Sequence, residues 1–202
     1  MSDHDLAPLR IALLHPGTGI ASVDFLASGE LATALRAAGH EAVVLDGGRD
    51  VTRGPIKAPP LERWSDALLR ARGFTGPVAH APVALAALLR GGYDVAHAFS
   101  APDALVARLW GRSVSRPAVF TCVETLDRGC LADRRLRLRL LTDAVELSDA
   151  VVAPGDDGRA ALQHWLGVEP AVIAAGDASA HVQLYRALLA SPKANRAIAH
   201  VS

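Results

Sequence analysis

The sequence predicts an α/β fold: a Rossmann-like doubly wound parallel sheet of about six strands in three α/β/α layers, with a C-terminal helix packing back on the domain. Three observations predict it. Short runs of Val, Leu, Ile and Ala alternate with amphipathic helical segments along the chain. The intervening segments run to about 10 residues or more, long enough for the right-handed crossovers that parallel pairing requires. Half of the 202 residues are apolar while aromatics make up only 4%, a composition suited to helices packed closely on a Val-rich sheet.

RIALLH (10–15) is a short apolar run bounded by the Pro/Gly loop HPGTGIAS, the pattern of a buried parallel strand and its turn. From Asp24 to Ala38, Phe25, Leu26, Leu31 and Leu35 recur at helical spacing, and Gly39 closes the helix. EAVVL then makes a second strand ending at Asp46. Gly47 to Pro60, with three glycines and three prolines, predicts a loop. Helical patterns resume over Leu61–Arg72 and Pro82–Arg90. YDVAHAFS carries a strand from Val95, and a helix spans Pro102–Trp110 with proline in its first turn. PAVFTCVE, ELSDAVVAPGD and EPAVIAAGD supply the fourth, fifth and sixth strands, separated by helices over Leu131–Leu147 and Asp156–Leu166. Beyond Gly176-Asp177 the chain makes one more amphipathic helix, with Val182, Tyr185, Leu188 and Leu189 as its apolar stripe and Pro192 ending it. The expected organisation is one domain over 9–190, its last helix at 177–190, with flexible tails at 1–8 and 193–202.

Charge argues against several function classes. Twenty-one basic residues balance twenty-one acidic ones, so no global field recruits nucleic acid or an anionic membrane, and few aromatics are available for base stacking. Cys122 and Cys130 are too few for a disulfide framework and lack partners at metal-ligand spacing; the eight histidines show no H-x-x-x-H pattern. Neither a metal nor a cofactor is expected. The polar start MSDHDLAPLR lacks the apolar run of a signal peptide, and no stretch approaches about 18 uninterrupted apolar residues. A cytoplasmic location is the expectation.

In such sheets the ligand lies beyond the carboxyl ends of the strands, where strand order reverses. That rule selects His15 to Ser22, Asp46-Gly47-Gly48, His97 to Ser100, Thr121 to Glu124, Pro154-Gly155 and Gly176-Asp177. Gly17-Thr18-Gly19 lacks the third glycine of a dinucleotide fingerprint, because Ile20, Ala21 and Ser22 follow. Its backbone N–H groups suit an anionic or hydroxyl-rich ligand, and equally suit a tight strand-to-helix turn. His97, at the exit of a buried strand with Asp94 and Ser100 nearby, is the leading candidate for polar chemistry; a packed histidine bonded to backbone is the alternative. Glu124 is a candidate base. His15, Ser100 and Thr121 join Gly17, Thr18 and Gly19 as candidate substrate-binding residues. If the segment RGCLADRRLRLRLLTDAVEL is taken as helical, Arg128, Arg135 and Arg139 share one face and Leu131, Leu138, Leu141 and Val145 another. These arginines with Arg134 read as a solvated face or, more sharply, as a patch for peripheral contact with anionic lipid.

The order RIALLHPG, ELATALRAAGHEAVVL, YDVAHAFSAPDALVARLWG, PAVFTCVE, ELSDAVVAPGDDGRAAL and PAVIAAGD resembles the N-terminal domain of GT-B glycosyltransferases, specifically the large retaining family that uses nucleotide-sugars. The similarity covers about residues 9 to 177. The resemblance implies an acceptor-binding domain, with Gly17, Thr18 and Gly19 at the floor of a cleft and His97 facing it. Two departures stand out: Ser22-Val23 replaces the family's Gly-Gly pair, and Thr121-Cys122-Val123 replaces its Thr-x-His, so Glu124 would have to substitute for the missing histidine.

A third departure lies at Gly176-Asp177. In full-length members this turn leads into a second, nucleotide-binding lobe before a final helix returns; here it runs straight into ASAHVQLYRALLA, which is similar to that returning helix. The reading implied is an acceptor-side domain, inactive alone or completed by a separate donor-domain subunit, acting on a sugar or lipid-linked acceptor. The alternatives are a noncatalytic scaffold that uses the former interdomain face for a homodimer or partner, and a small hydrolase built on His97 and Glu124.

Overall fold

A computed structural model describes residues 7–15, 23–46, 49–50, 81–123 and 135–191 of the chain. Its elements are β1 (Arg10–His15), α1 (Val23–Ala37), β2 (Glu41–Asp46), β3 (Arg49–Asp50), α2 (Ala81–Gly91), β4 (Val95–Ala98), α3 (Ala101–Val114), β5 (Ala118–Thr121), α4 (Arg135–Leu147), β6 (Ala150–Ala153), α5 (Asp156–Leu166), β7 (Ala171–Val172) and α6 (Ala178–Ala190). The strands form one sheet in the order β3-β2-β1-β4-β5-β6-β7. Six of them run parallel, and strand order reverses at β1, which pairs with β2 on one side (Leu13 opposite Val44) and β4 on the other (Leu13 opposite His97).

Residue alternation along the strands explains the layers. Ile11, Leu13, Val44, Val95, Val119 and Val152 point to one face, where Leu31 and Leu35 of α1 and Val182 and Tyr185 of α6 cover them. Ala12, Leu14, Val43, Ala96, Ala98 and Phe120 point to the other, beneath Leu88 of α2, Trp110 of α3, Leu141 and Val145 of α4 and Leu162 of α5. The strand residues are apolar on both sides because both faces are buried. The structure thus has the expected three-layer Rossmann-like form, with the last helix docked on the same sheet.

Three local features differ from the sequence expectation. Arg49 and Asp50, placed in a loop by composition, pair antiparallel with Asp46 and Leu45 as an edge strand. Gly47-Gly48 between them is the dipeptide type that two-residue hairpins favour, and that signal was present in the sequence. Helix α3 continues past Trp110 through Gly111 to Val114 and closes at Ser115, whose φ of 57° is left-handed. Gly111 is needed there, since a Cβ would come within 2.5 Å of the Arg116 carbonyl oxygen. The sixth strand is reduced to Ala171–Val172. The helix expected over 61–72, and residues 131–134 of the long helix, lie outside the described residues.

Candidate functional site

The carboxyl edge of the sheet around β1, β4 and β5 carries a buried polar cluster on the face covered by α1 and α6. It is assembled from His15 at the end of β1, His97 in β4, Thr121 at the end of β5, and His181 and Tyr185 on α6, all at most 4% exposed. Strand parity puts Leu13, His97 and Val119 side by side, so the residues two further on, His15 and Thr121, share their face. The helix contributes at a spacing of four, which aligns His181 and Tyr185.

His97 is fully buried and both of its ring nitrogens are engaged: Nδ1 lies 2.6 Å from the Tyr185 hydroxyl and Nε2 lies 2.6 Å from Thr121 Oγ1. Phe99 stacks on its ring at 4.8 Å and an interplanar angle of 14°. His181 lies 5.6 Å away, ring to ring, and its Nδ1–H donates to the Asp177 carbonyl at 2.8 Å. Burial, with repulsion from His181 second, holds His97 well below the ordinary histidine value, so the ring is neutral. Burial also lowers His181, opposed by its bond and proximity to Asp177, and pushes the Tyr185 phenol far up. The His97 ring and the Tyr185 phenol are therefore both uncharged, and the bond between them joins two neutral groups.

Ser100 takes a different part. It caps α3, accepting from the Asp103 N–H at 3.3 Å while its hydroxyl donates to the Asp103 carboxylate at 2.7 Å. Asp94, near His97 in sequence, sits at the opposite edge of the sheet, where it accepts from the Arg10 N–H at 2.9 Å and faces Arg116 at 3.5 Å. Cys122 is buried just past β5. Gly17, Thr18, Gly19, Glu124, Arg128 and Arg134 lie outside the described residues; Arg139 is exposed on α4, while Leu138, Leu141 and Val145 pack inward as the stripe predicted. The structure thus joins His97 to Thr121, engages Ser100 with Asp103, and places Asp94 at the other end of β4. Sequence reasoning counted Tyr185 only as an apolar stripe residue and passed over His181, although their i,i+4 spacing placed both polar groups on the docking face.

The family model described as Glycosyltransferase Family 4 matches residues 29–176, well over half of the chain. The chain belongs to that family. No relative among curated protein sequences matches it. Among solved structures it is similar to Anabaena HepE in complex with UDP-glucose, at 15% identity and a TM-score of 0.54, covering 82% of this chain and 43% of that one. HepE in complex with UDP and glucose matches at 16% identity and 0.54, covering 82% and 44%. A sucrose-phosphate synthase chain from Thermosynechococcus elongatus, designated 27–220 and 406–426, matches at 18% identity and 0.55, covering 90% of this chain and 99% of that one. This glycosyltransferase-family chain therefore spans less than half the length of the HepE chains it matches and nearly all of the synthase chain. At these identities the likeness shows the fold, that of the N-terminal domain of GT-B glycosyltransferases. Among the described residues no helix is long and apolar enough to cross a membrane.

Proposed function

We propose that this chain is the acceptor-side half of a nucleotide-sugar-dependent glycosyltransferase, inactive until a donor-binding lobe from outside these 202 residues faces its carboxyl edge. The observation that carries the reading is the passage from β7 to α6. Val172 and Ala178 are separated by only residues 173–177, and α6 then seals the same sheet. No second lobe is inserted there. The synthase chain of matching extent, designated by two separate stretches of its protein, supports reading α6 as a segment that can dock with a donor lobe removed.

Chemistry supports the inactivity. A nucleotide-sugar held by one wall loses most of its positioning contacts, and its leaving phosphate loses the donors that stabilise charge in the transition state. Within the acceptor half, Gly17, Thr18 and Gly19 after β1 are assigned to the cleft floor, His15 and Ser100 to its flanks, and Thr121 and Glu124 to the exit of β5. His97 acts from beneath the surface through Thr121. The acceptor is a sugar or a lipid-linked sugar.

Calorimetric titration of the isolated chain with UDP-glucose and other nucleotide-sugars tests the proposal. No binding is expected into the millimolar range, corresponding to weaker than about −4 kcal/mol. Micromolar affinity would overturn it, because a donor site would then exist on this half alone.

A further inference from the structure

A neutral imidazole has one N–H and one bare nitrogen, so His97 donates at one end of its hydrogen-bonded line and accepts at the other. Which end does which follows from Tyr185. Its hydroxyl is fully buried, and among the described residues its one hydrogen-bond partner is His97 Nδ1. If Nδ1 carried the proton, the Tyr185 oxygen would accept it and the phenolic proton would have no acceptor among the described residues. With Tyr185 donating to Nδ1, the phenolic proton is used. Nε2–H then donates to Thr121 Oγ1, and the Thr121 hydroxyl keeps its own proton for another acceptor.

Thr121 is the last residue of β5, at the carboxyl edge, and His97 Nε2 is its side chain's one hydrogen-bond partner among the described residues. The opposite polarity of the line would consume the Thr121 proton on His97 and leave the strand end with an acceptor only. The choice of tautomer therefore sets whether this position donates or accepts. That choice is made by a residue on the C-terminal helix, 64 positions along the chain from Thr121.

We propose that Tyr185 is a positioning residue: by donating to His97 it fixes the Nε2–H tautomer and keeps the Thr121 hydroxyl as a hydrogen-bond donor to an oxygen of the bound acceptor molecule. The ligand-contacting part rests on the acceptor-side reading; the tautomer does not. Docking of α6 and the donor state of the β5 edge are thereby one event.

Nitrogen-15 NMR of the His97 ring in the ligand-free full chain tests it. The expected result at neutral pH is a bare Nδ1 and a protonated Nε2. Tyr185→Phe removes the donor to Nδ1, and the nitrogen shifts then move toward each other as the two tautomers mix. Thr121→Val moves the Nε2 proton upfield by removing its acceptor, and Thr121→Ser restores it. A wild-type ring protonated at Nδ1, or Nε2 shifts that ignore Thr121→Val, overturns the relay even if Tyr185→Phe does not fold. An Nε2–H tautomer in a chain that binds no sugar, alone or with a donor lobe, overturns the acceptor-side reading and leaves the relay standing.

Discussion

His97 contacts a strand neighbour, a stacked ring and the C-terminal helix at once, so its removal and its partners' removal have different consequences. Tyr185→Phe preserves the buried ring and most of its packing but leaves His97 Nδ1 without a donor. Loss of a partner from a buried polar group costs about 1–3 kcal/mol, larger than the slight gain from burying one less hydroxyl. Urea unfolding should register that loss with an unchanged m-value, and no change in midpoint would show that the bond contributes nothing. Asp103 is a contrasting case: a fully buried side chain that the Ser100 O–H meets at 2.7 Å within the first turn of its own helix, a bond between neighbours in sequence.

At the scale of elements, helix ends carry much of the definition. Gly39 and Gly167 take left-handed φ values of 86° and 65° after α1 and α5, where a Cβ would be strained. Asp177 caps α6 by accepting from the Ala180 N–H at 3.0 Å. Gly111 is the sharper case because two effects oppose. Ala in a helix interior is favoured over Gly by about 1 kcal/mol. A Cβ at 111 would stand 2.5 Å from the Arg116 backbone oxygen, which cannot rotate away as a side chain could. Overpacking of this kind costs about 1–3 kcal/mol, so Gly111→Ala should be net destabilising, read as a lower thermal midpoint. A raised midpoint would mean that the turn into β5 relaxes freely. At the edge of β5, Asp149 holds the strand start by accepting from the Ala118 N–H at 2.8 Å while pairing with Arg108 at 2.8 Å.

The whole molecule inherits a pH dependence from its buried histidines. His97 and His181 both have folded-state values below the ordinary 6.5, with burial as the largest cause of each. A depressed value means that the unfolded chain binds protons the folded chain does not. Stability is therefore complete above 6.5 and is lost as pH falls below it toward the folded values, by up to about 1.4 kcal/mol per pH unit for each such histidine. Thermal midpoints should fall between about pH 7 and about pH 5, and His97→Gln should flatten that slope. A midpoint constant across that range would contradict the burial of these rings. The same core explains why α6 belongs to the domain: without it, Val182 and Tyr185 leave and Ile11, Leu13 and Val119 face water.

Period and punctuation were enough to read the architecture. Apolar runs such as RIALLH and PAVFT declare strands buried on both faces, Gly39 and Pro102 mark helix boundaries, and the order of motifs carried the glycosyltransferase resemblance that the family match bears out. These are local signals, set by backbone sterics and side-chain spacing within a few residues. The two hydrogen bonds of His97 were not legible in that way, because Tyr185 and Thr121 are 64 positions apart and flank the same ring only once α6 lies across the sheet. Nor could spacing tell that Asp94, three residues from His97, would serve the opposite edge. A strand carries its two ends to opposite sides of the molecule, so nearness in sequence says little about nearness in a site. Which polar groups are buried together, and hence which stay neutral, was decided by the packing of the last helix on the first strands.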